Sequence, residues 1–155
     1  EYTPSDMLIE IIEKPVWKGP DTEEKKASVT LIPDLISIPK IGNEDYFFIF
    51  DAKYYNLRLE KGKTLGGNPG IGDVTKQYLY QLAYKKFIKA HNIAVVKNCF
   101  LMPTEKNEII DKGTAKMEML EALGLENIQI RLMPAAMMYE YYLTQRKIDV
   151  ALLNL

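Results

Sequence analysis

Tyr46-Phe47-Phe48-Ile49-Phe50-Asp51-Ala52-Lys53 joins the most hydrophobic run of the chain directly to two charges. Five consecutive aromatic or β-branched residues read as a strand buried on both faces, as in a sheet covered by helices. Asp51 and Lys53 are two residues apart, so on an extended chain both side chains leave the same face. A charge attached to such a strand is costly unless it is used.

Upstream, Lys40 to Asp45 reads as a hairpin turn. Before it, Ser28 to Ile38 has a β pattern: Val29, Thr30, Leu31, Ile32, then Pro33-Asp34, then Leu35, Ile36 and Ile38. A hairpin here brings Asp34 beside the end of the strand that carries Asp51. Further back, Gly19 to Lys26 is polar and turn-like, and residues 6 to 13 form a short helix capped by Ser5 or Asp6 and ended before Pro15.

Downstream, residues 56 to 72 form a glycine-rich connection, and one this long inside a domain is usually functional or mobile. A helix follows from about Val74 to His91, with Asp73 as its N-cap. Ile93 to Met102 is a strand stopped by Pro103. Thr114 to Leu123 alternates like a strand but has a helical composition, so its state stays open. Ile128 to Met133 is a strand, and Pro134 to about Lys147 a final helix. The order predicts an α/β fold, a three-layer-like sandwich with a central mixed β-sheet flanked by helices.

A chain of 155 residues is one domain, 1–155, with no room for a second. It is 47% hydrophobic and 26% charged, which excludes a disordered segment. No apolar run approaches the roughly 20 residues that span a bilayer. The lone cysteine, Cys99, lies in an apolar run and reads as a small buried hydrophobe, consistent with a reducing, cytoplasmic setting. The first residue is not methionine, so the expectation is a domain cut from a longer protein or a trimmed chain. The net charge of -1 does not advertise nucleic-acid binding. It does not oppose it, because a metal-dependent nuclease needs acids at its centre, and lysines cluster at Lys25-Lys26, Lys61 with Lys63, and Lys85-Lys86 with Lys89.

Asp34, Asp51 and Lys53 together supply two carboxylates and an ammonium. Magnesium takes hard oxygen ligands and keeps several waters, so one or two carboxylates can hold it. The backbone carbonyl of Ala52 is a third candidate ligand. Bound there, the ion would stabilise charge on a phosphate and acidify a water, while Lys53 positions that water or offsets charge on phosphorus. The bland reading is that Asp34 and Asp51 are turn or strand-end acids, since Asp-x-Lys alone is common.

On the helix, Asp73, Gln77, Tyr80 or Gln81, and Tyr84 share one face, which the metal site could use. Gln77 or Gln81 is then the residue that bonds a catalytic group or a DNA phosphate. Val74, Tyr78 and Leu82 face the core. The competing reading is a solvated face carrying tyrosines. Candidate DNA contacts are Arg58, Lys61 and Lys63 in the glycine-rich connection, with Lys76 and Tyr80 on the helix. Lys61-Gly62-Lys63 with Gly66-Gly67 lacks the residue order of a nucleotide-binding loop. His91 is the only histidine and has no metal-binding companions. Met117, Met119, Met133, Met137 and Met138 read as core filler. Tyr139, Tyr141 and Tyr142 read as core by default, or as an interface in a homodimer or with a partner.

Leu31-Ile32-Pro33-Asp34, followed by Phe48-Ile49-Phe50-Asp51-Ala52-Lys53-Tyr54, resembles the signature of PD-(D/E)XK nucleases. Asp73-Val74-Thr75-Lys76-Gln77-Tyr78-Leu79-Tyr80-Gln81 resembles the glutamine- and tyrosine-bearing helix of a subset of them. From about residue 28 to the last helix, the chain is similar to LlaJI-type restriction endonucleases and their McrC-like relatives. The resemblance implies a restriction-endonuclease-like core and a double-strand DNA endonuclease that uses magnesium and leaves 5′-phosphates. It places metal ligation on Asp34 and Asp51 and a catalytic lysine at Lys53. It implies a partner motor driven by nucleotide, of the McrB type, and an acidic residue on the first helix, Glu10 or Glu13. A repair or recombination nuclease of the same fold, or a catalytically silent scaffold, would carry a similar core. No base-reading module is visible, so sequence recognition is expected elsewhere.

Overall fold

The structure is a computed structural model that describes residues 8–155. The first helix, α1, covers Leu8–Ile11; its expected caps, Ser5 and Asp6, lie outside the described residues. Two short strands, β1 (Val16–Trp17) and β2 (Lys25–Lys26), pair antiparallel, so the stretch expected to be turn alone is a small hairpin.

The main sheet has six strands: β3 (Leu35–Ser37), β4 (Lys40–Ile41), β5 (Glu44–Ala52), β6 (Val95–Thr104), β7 (Ile110–Ala115) and β8 (Ile128–Pro134). Its order is β3-β5-β6-β8-β7, with β4 also paired to β5. β5, β6 and β8 are parallel, and β3, β4 and β7 are antiparallel to their neighbours. The helices are α2 (Ile71–Ala90), the single turn α3 (Glu118–Glu121) and α4 (Ala135–Thr144), followed by a 3-10 turn at Val150–Leu153. This is the expected mixed sheet flanked by helices.

The aromatic run of β5 is buried on both faces because each face has its own cover. Phe47 and Ile49 meet Tyr80 and Tyr84 of α2, with Ile12 beside them. Phe48 and Phe50 meet Cys99, Leu101 and Leu153 on the other side. Each such ring removed from water contributes roughly 1.5–3 kcal/mol. Alternation along β5 therefore directs Asp51 towards the α2 side. Cys99 is fully buried among these groups, and burial pushes its thiol up to about 12.

Several sequence expectations are corrected. Only Leu35–Ser37 of the 28–38 stretch forms a strand. Its register, Leu35 opposite Phe50 and Ser37 opposite Phe48, would require residues before Pro33 to pair beyond the end of β5. Asp73 is not the N-cap of α2; Gly70 is, and Asp73 sits in the first turn. Pro103 does not stop β6, which runs to Thr104. Leu101 accepts from the Lys53 N–H, so Pro103, two residues on, turns its missing N–H to the same side, where β5 has already ended. The undecided 114–123 stretch divides into the end of β7 and the turn α3. On α4, Tyr139 and Tyr142 are exposed rather than core, as is Met119 on α3. Among the described residues, no helix is long and apolar enough to cross a membrane.

Candidate active site

The register that aligns β3 with β5, continued by one residue, sets Asp34 opposite Asp51. Side chains opposite each other across a ladder lie on one face. β3 begins only at Leu35, so no strand partner takes the Ala52 N–H on that edge. The Asp34 carboxylate takes it instead: the Ala52 N–H donates to Asp34 Oδ2 at 2.8 Å. This bond fixes Asp34 against the end of β5, although Asp34 itself is exposed. Asp51 is buried, and Lys53 Nζ lies 2.5 Å from Asp51 Oδ2. The same ammonium lies 3.1 Å from Asp73 Oδ1, and the Tyr55 hydroxyl donates to Asp73 Oδ2 at 3.0 Å. Asp34, Asp51, Ala52 and Lys53 thus converge as the sequence spacing predicts, and Asp73 joins them from α2.

The electrostatics follow burial. Loss of water pushes the Asp51 carboxyl above its ordinary range; Lys53 pulls it down and the neighbouring Asp34 charge pushes it up again, and the balance is upward. Burial works against the Lys53 charge, but hydrogen bonds to Asp51 and Asp73 outweigh it, and the ammonium holds its proton more tightly than usual. Burial likewise opposes ionised Asp73, and is outweighed by Lys53 and Tyr55, so its carboxyl lies below the usual range.

The donor set fits magnesium. Asp34 and Asp51 are hard oxygen donors close enough to feel each other's charge. Among the described residues no three Asp, Glu, His or Cys side chains form a metal-holding cluster; two carboxylates, with a backbone carbonyl and water, would suffice for an ion that keeps several waters.

Other expected site residues are placed differently. Gln77 is buried, and its amide donates to the Ile49 carbonyl at 3.3 Å and to Asn98 at 2.5 Å. It supports β5 two residues before Asp51. Gln81 exchanges two hydrogen bonds with the backbone of Glu126, both 2.8 Å. Neither amide is directed at the carboxylate pair. Tyr80 is fully buried and its hydroxyl donates to the Ile32 carbonyl at 2.6 Å, so it is not a surface available to DNA. The physical reason is common to all three: the polar face of α2 is the face that packs on the sheet. Lys76 is half-buried, its ammonium 5.8 Å from the Tyr80 ring centre. Glu13 approaches Lys86 at 3.7 Å. Lys86 is thirteen residues beyond Asp73, roughly 20 Å along the helix, so Glu13 lies away from the site. Glu10 is exposed and lines, with Glu13, a cavity beside α1.

Asp73 is the residue that sequence reasoning misassigned. Its place on the face of Gln77 and Tyr80 was visible; its bond to Lys53 depends on how α2 docks.

Arg58, Lys61 and Lys63 are exposed in the connection that begins after Lys53 and ends just before Asp73. Reciprocal backbone bonds between Arg58 and Gly66 pinch this loop, and Leu57 anchors it in the core beside Tyr78 and Phe100. Gly67 sits at φ +61°, where a Cβ would fall 2.1 Å from the Asn56 carbonyl oxygen. Gly67→Ala is therefore expected to cost about 1–3 kcal/mol. Urea unfolding measures the cost, and limited proteolysis shows faster cutting within residues 54–70. An unchanged midpoint with unchanged protection would refute this account of the loop.

The family model for the LlaJI restriction endonuclease matches residues 5–142. The chain is also 34% identical over 138 residues to the type II restriction enzyme BsuMI component YdjA of Bacillus subtilis (strain 168). That alignment covers 87% of this chain and 28% of the relative, so the chain spans little more than a quarter of the relative's length. No solved structure matches.

Proposed function

The chain belongs to the LlaJI restriction endonuclease family, and from that premise we propose that it is a magnesium-dependent endonuclease domain of the PD-(D/E)XK class, cutting double-stranded DNA within a restriction system. The observation that carries this reading is the meeting of Asp34, Asp51 and Lys53 at the end of β5.

Asp34, Asp51 and the Ala52 carbonyl would hold the ion. When bound, magnesium supplies stabilisation of the charge that grows on the scissile phosphate. Lys53 provides a second positive charge and a hydrogen-bond donor for the attacking water or a phosphate oxygen. Ala52 N–H keeps Asp34 in place. Gln77 supports the strand rather than the chemistry. Water adds to phosphorus and gives up a proton to solvent, the bond to the 3′ oxygen breaks, and that oxygen takes up a proton from solvent, leaving a 5′-phosphate. Arg58, Lys61 and Lys63 offer exposed cations for the DNA backbone, and Lys76 a further one at the helix.

The test is cleavage of supercoiled plasmid with magnesium, with calcium and with neither, beside an Asp51→Ala control. Cleavage by the unaltered protein with magnesium alone is the expected result. The relative is described as a component, so a parallel set adds the system's other components and nucleotide. Cleavage confined to that set supports a motor-dependent, McrC-like enzyme. Cleavage of branched DNA alone would instead indicate a repair nuclease. Absence of cleavage throughout, with intact binding to partners, would leave a scaffold and overturn the proposal.

A further inference from the structure

Lys53 is shared between two carboxylates, and only one of them belongs to the proposed ion site. Its ammonium lies 2.5 Å from Asp51 Oδ2 and 3.1 Å from Asp73 Oδ1. A divalent cation and an ammonium compete for the same Asp51 oxygens. An ion can enter fully only if Lys53 yields at Asp51 without leaving the site. We propose that Asp73 is a positioning residue that holds Lys53 in place when Asp51 turns to the cation, a proposal that rests on the endonuclease reading above.

Three features equip Asp73 for this. It stands in the first turn of a twenty-residue helix, so its backbone is rigid and the helix dipole favours its negative charge. The Tyr55 hydroxyl bonds its Oδ2, which leaves Oδ1 turned to Lys53. Its side chain is largely but not wholly covered, at 28% exposure, against 14% for Lys53, so this is a partly dehydrated pair rather than a surface one. Asp51 sits on a different element, β5, on the other side of the ammonium. Lys53 has three N–H donors, enough to keep one on Asp73 while another meets a water or phosphate oxygen. Asp73 thereby acts through Lys53 and touches neither ion nor DNA.

The Lys53 ammonium resonance reports this directly, because an ammonium gives a sharp nitrogen–proton signal only while an ion pair slows its exchange with water. At 17.8 kDa the protein suits such a measurement. In unaltered protein the Lys53 signal is expected to persist when magnesium is added and the Asp34 and Asp51 resonances shift. In Asp73→Asn it is expected to vanish on magnesium addition, and in Asp73→Glu to persist. Asp73→Asn should also raise the magnesium concentration at half-saturation by about fivefold, the upper end for a partly exposed ion pair. Thermal unfolding of each variant separates these changes from misfolding, with Asp73→Glu as the folded reference. Loss of the signal in unaltered protein with magnesium, or its survival in Asp73→Asn, would overturn the role of Asp73 alone. If magnesium moves no resonance at Asp34 or Asp51, the ion site and the endonuclease reading fail with it.

Discussion

Asp51→Asn is expected to reduce magnesium-dependent DNA cleavage about a thousandfold or more while leaving the protein as stable as before, or more so. The loss follows from removing one of two carboxylates from the ion site, where several kcal/mol of stabilisation are at stake and each 1.36 kcal/mol is about tenfold in rate. The stability argument runs through the proton. Burial holds the Asp51 carboxyl above its ordinary 3.8, with Asp34 adding to the effect and Lys53 opposing it. Native Asp51 therefore keeps its proton to higher pH than the unfolded chain does. As pH rises from about 4 through the raised value, the native state is the one that binds more protons, so this group's contribution to stability falls and stays lost above it. Asparagine has the same shape and no charge to strand. Lys53 retains Asp73 as a partner, so the substitution leaves no unpaired cation. Melting curves between pH 4 and 7, set beside plasmid cleavage, measure both halves. The expected pattern is a midpoint at pH 7 that holds or rises, with a shallower decline between pH 4 and 7 than in unaltered protein. Cleavage within tenfold of normal would remove Asp51 from the proposed chemistry. A midpoint drop of more than about 4 °C, over 1 kcal/mol for a chain of this size, would show that Asp51 stabilises the fold after all.

The difference between what was readable and what was not follows the range of each interaction. β5 was readable because an unbroken apolar run has few other places to go than the middle of a covered sheet. Asp34, Asp51 and Lys53 were readable because a hairpin is short, and its register is nearly set by the turn at Gly42-Asn43 between paired Ile41 and Glu44. The orientation of α2 was not readable. Spacing groups Asp73, Gln77, Tyr80 or Gln81, and Tyr84 on one face, but a face of glutamines and tyrosines can point to water, to a site or to a sheet. Here it points to the sheet, because its donor groups find backbone or side-chain acceptors: Gln77 at Ile49 and Asn98, Tyr80 at Ile32, Gln81 at Glu126, Tyr84 at Leu8. Of the buried polar side-chain atoms among the described residues, Gln77 Oε1 alone is left without a partner. Those partners lie 21 to 76 positions away in the chain, and backbone carbonyls leave no mark in a sequence. The strand predicted over 28–38 failed for the complementary reason: its residues have β propensity but β5 offers no further length to pair with.

The largest loss of stability is expected at Arg131, a residue that no pattern singles out. It lies on β8, is 3% exposed, and is surrounded by apolar positions. Its guanidinium donates from Nε to the Leu153 carbonyl at 2.8 Å and from Nη2 to the Asn154 carbonyl at 2.7 Å. Nη1 donates to Asp111 on β7 at 2.8 Å. The fork thus ties the C-terminal 3-10 turn to the sheet, and Leu153, held there, covers Phe48, Phe50, Cys99 and Leu101. Arg131→Met keeps the length of the side chain and removes every donor. It releases two buried carbonyls and loosens the lid over that core cluster, at a cost of about 3 kcal/mol, the scale of breaking a buried charged hydrogen-bond set. Asp111→Ala removes the carboxylate that meets Nη1 and accepts from the Gly113 N–H, yet Asp111 is 64% exposed, so water can reach the vacated place and the cost should be about 1–2 kcal/mol, below that of Arg131→Met. The predicted order is therefore opposite to one in which the ion pair is the important bond. Urea unfolding of both variants gives the two costs, and amide exchange should show residues 150–155 losing protection in Arg131→Met alone. Equal costs for the two substitutions, or a protected C-terminal turn in Arg131→Met, would mean that the turn is held by Leu153 burial and that the arginine only follows it.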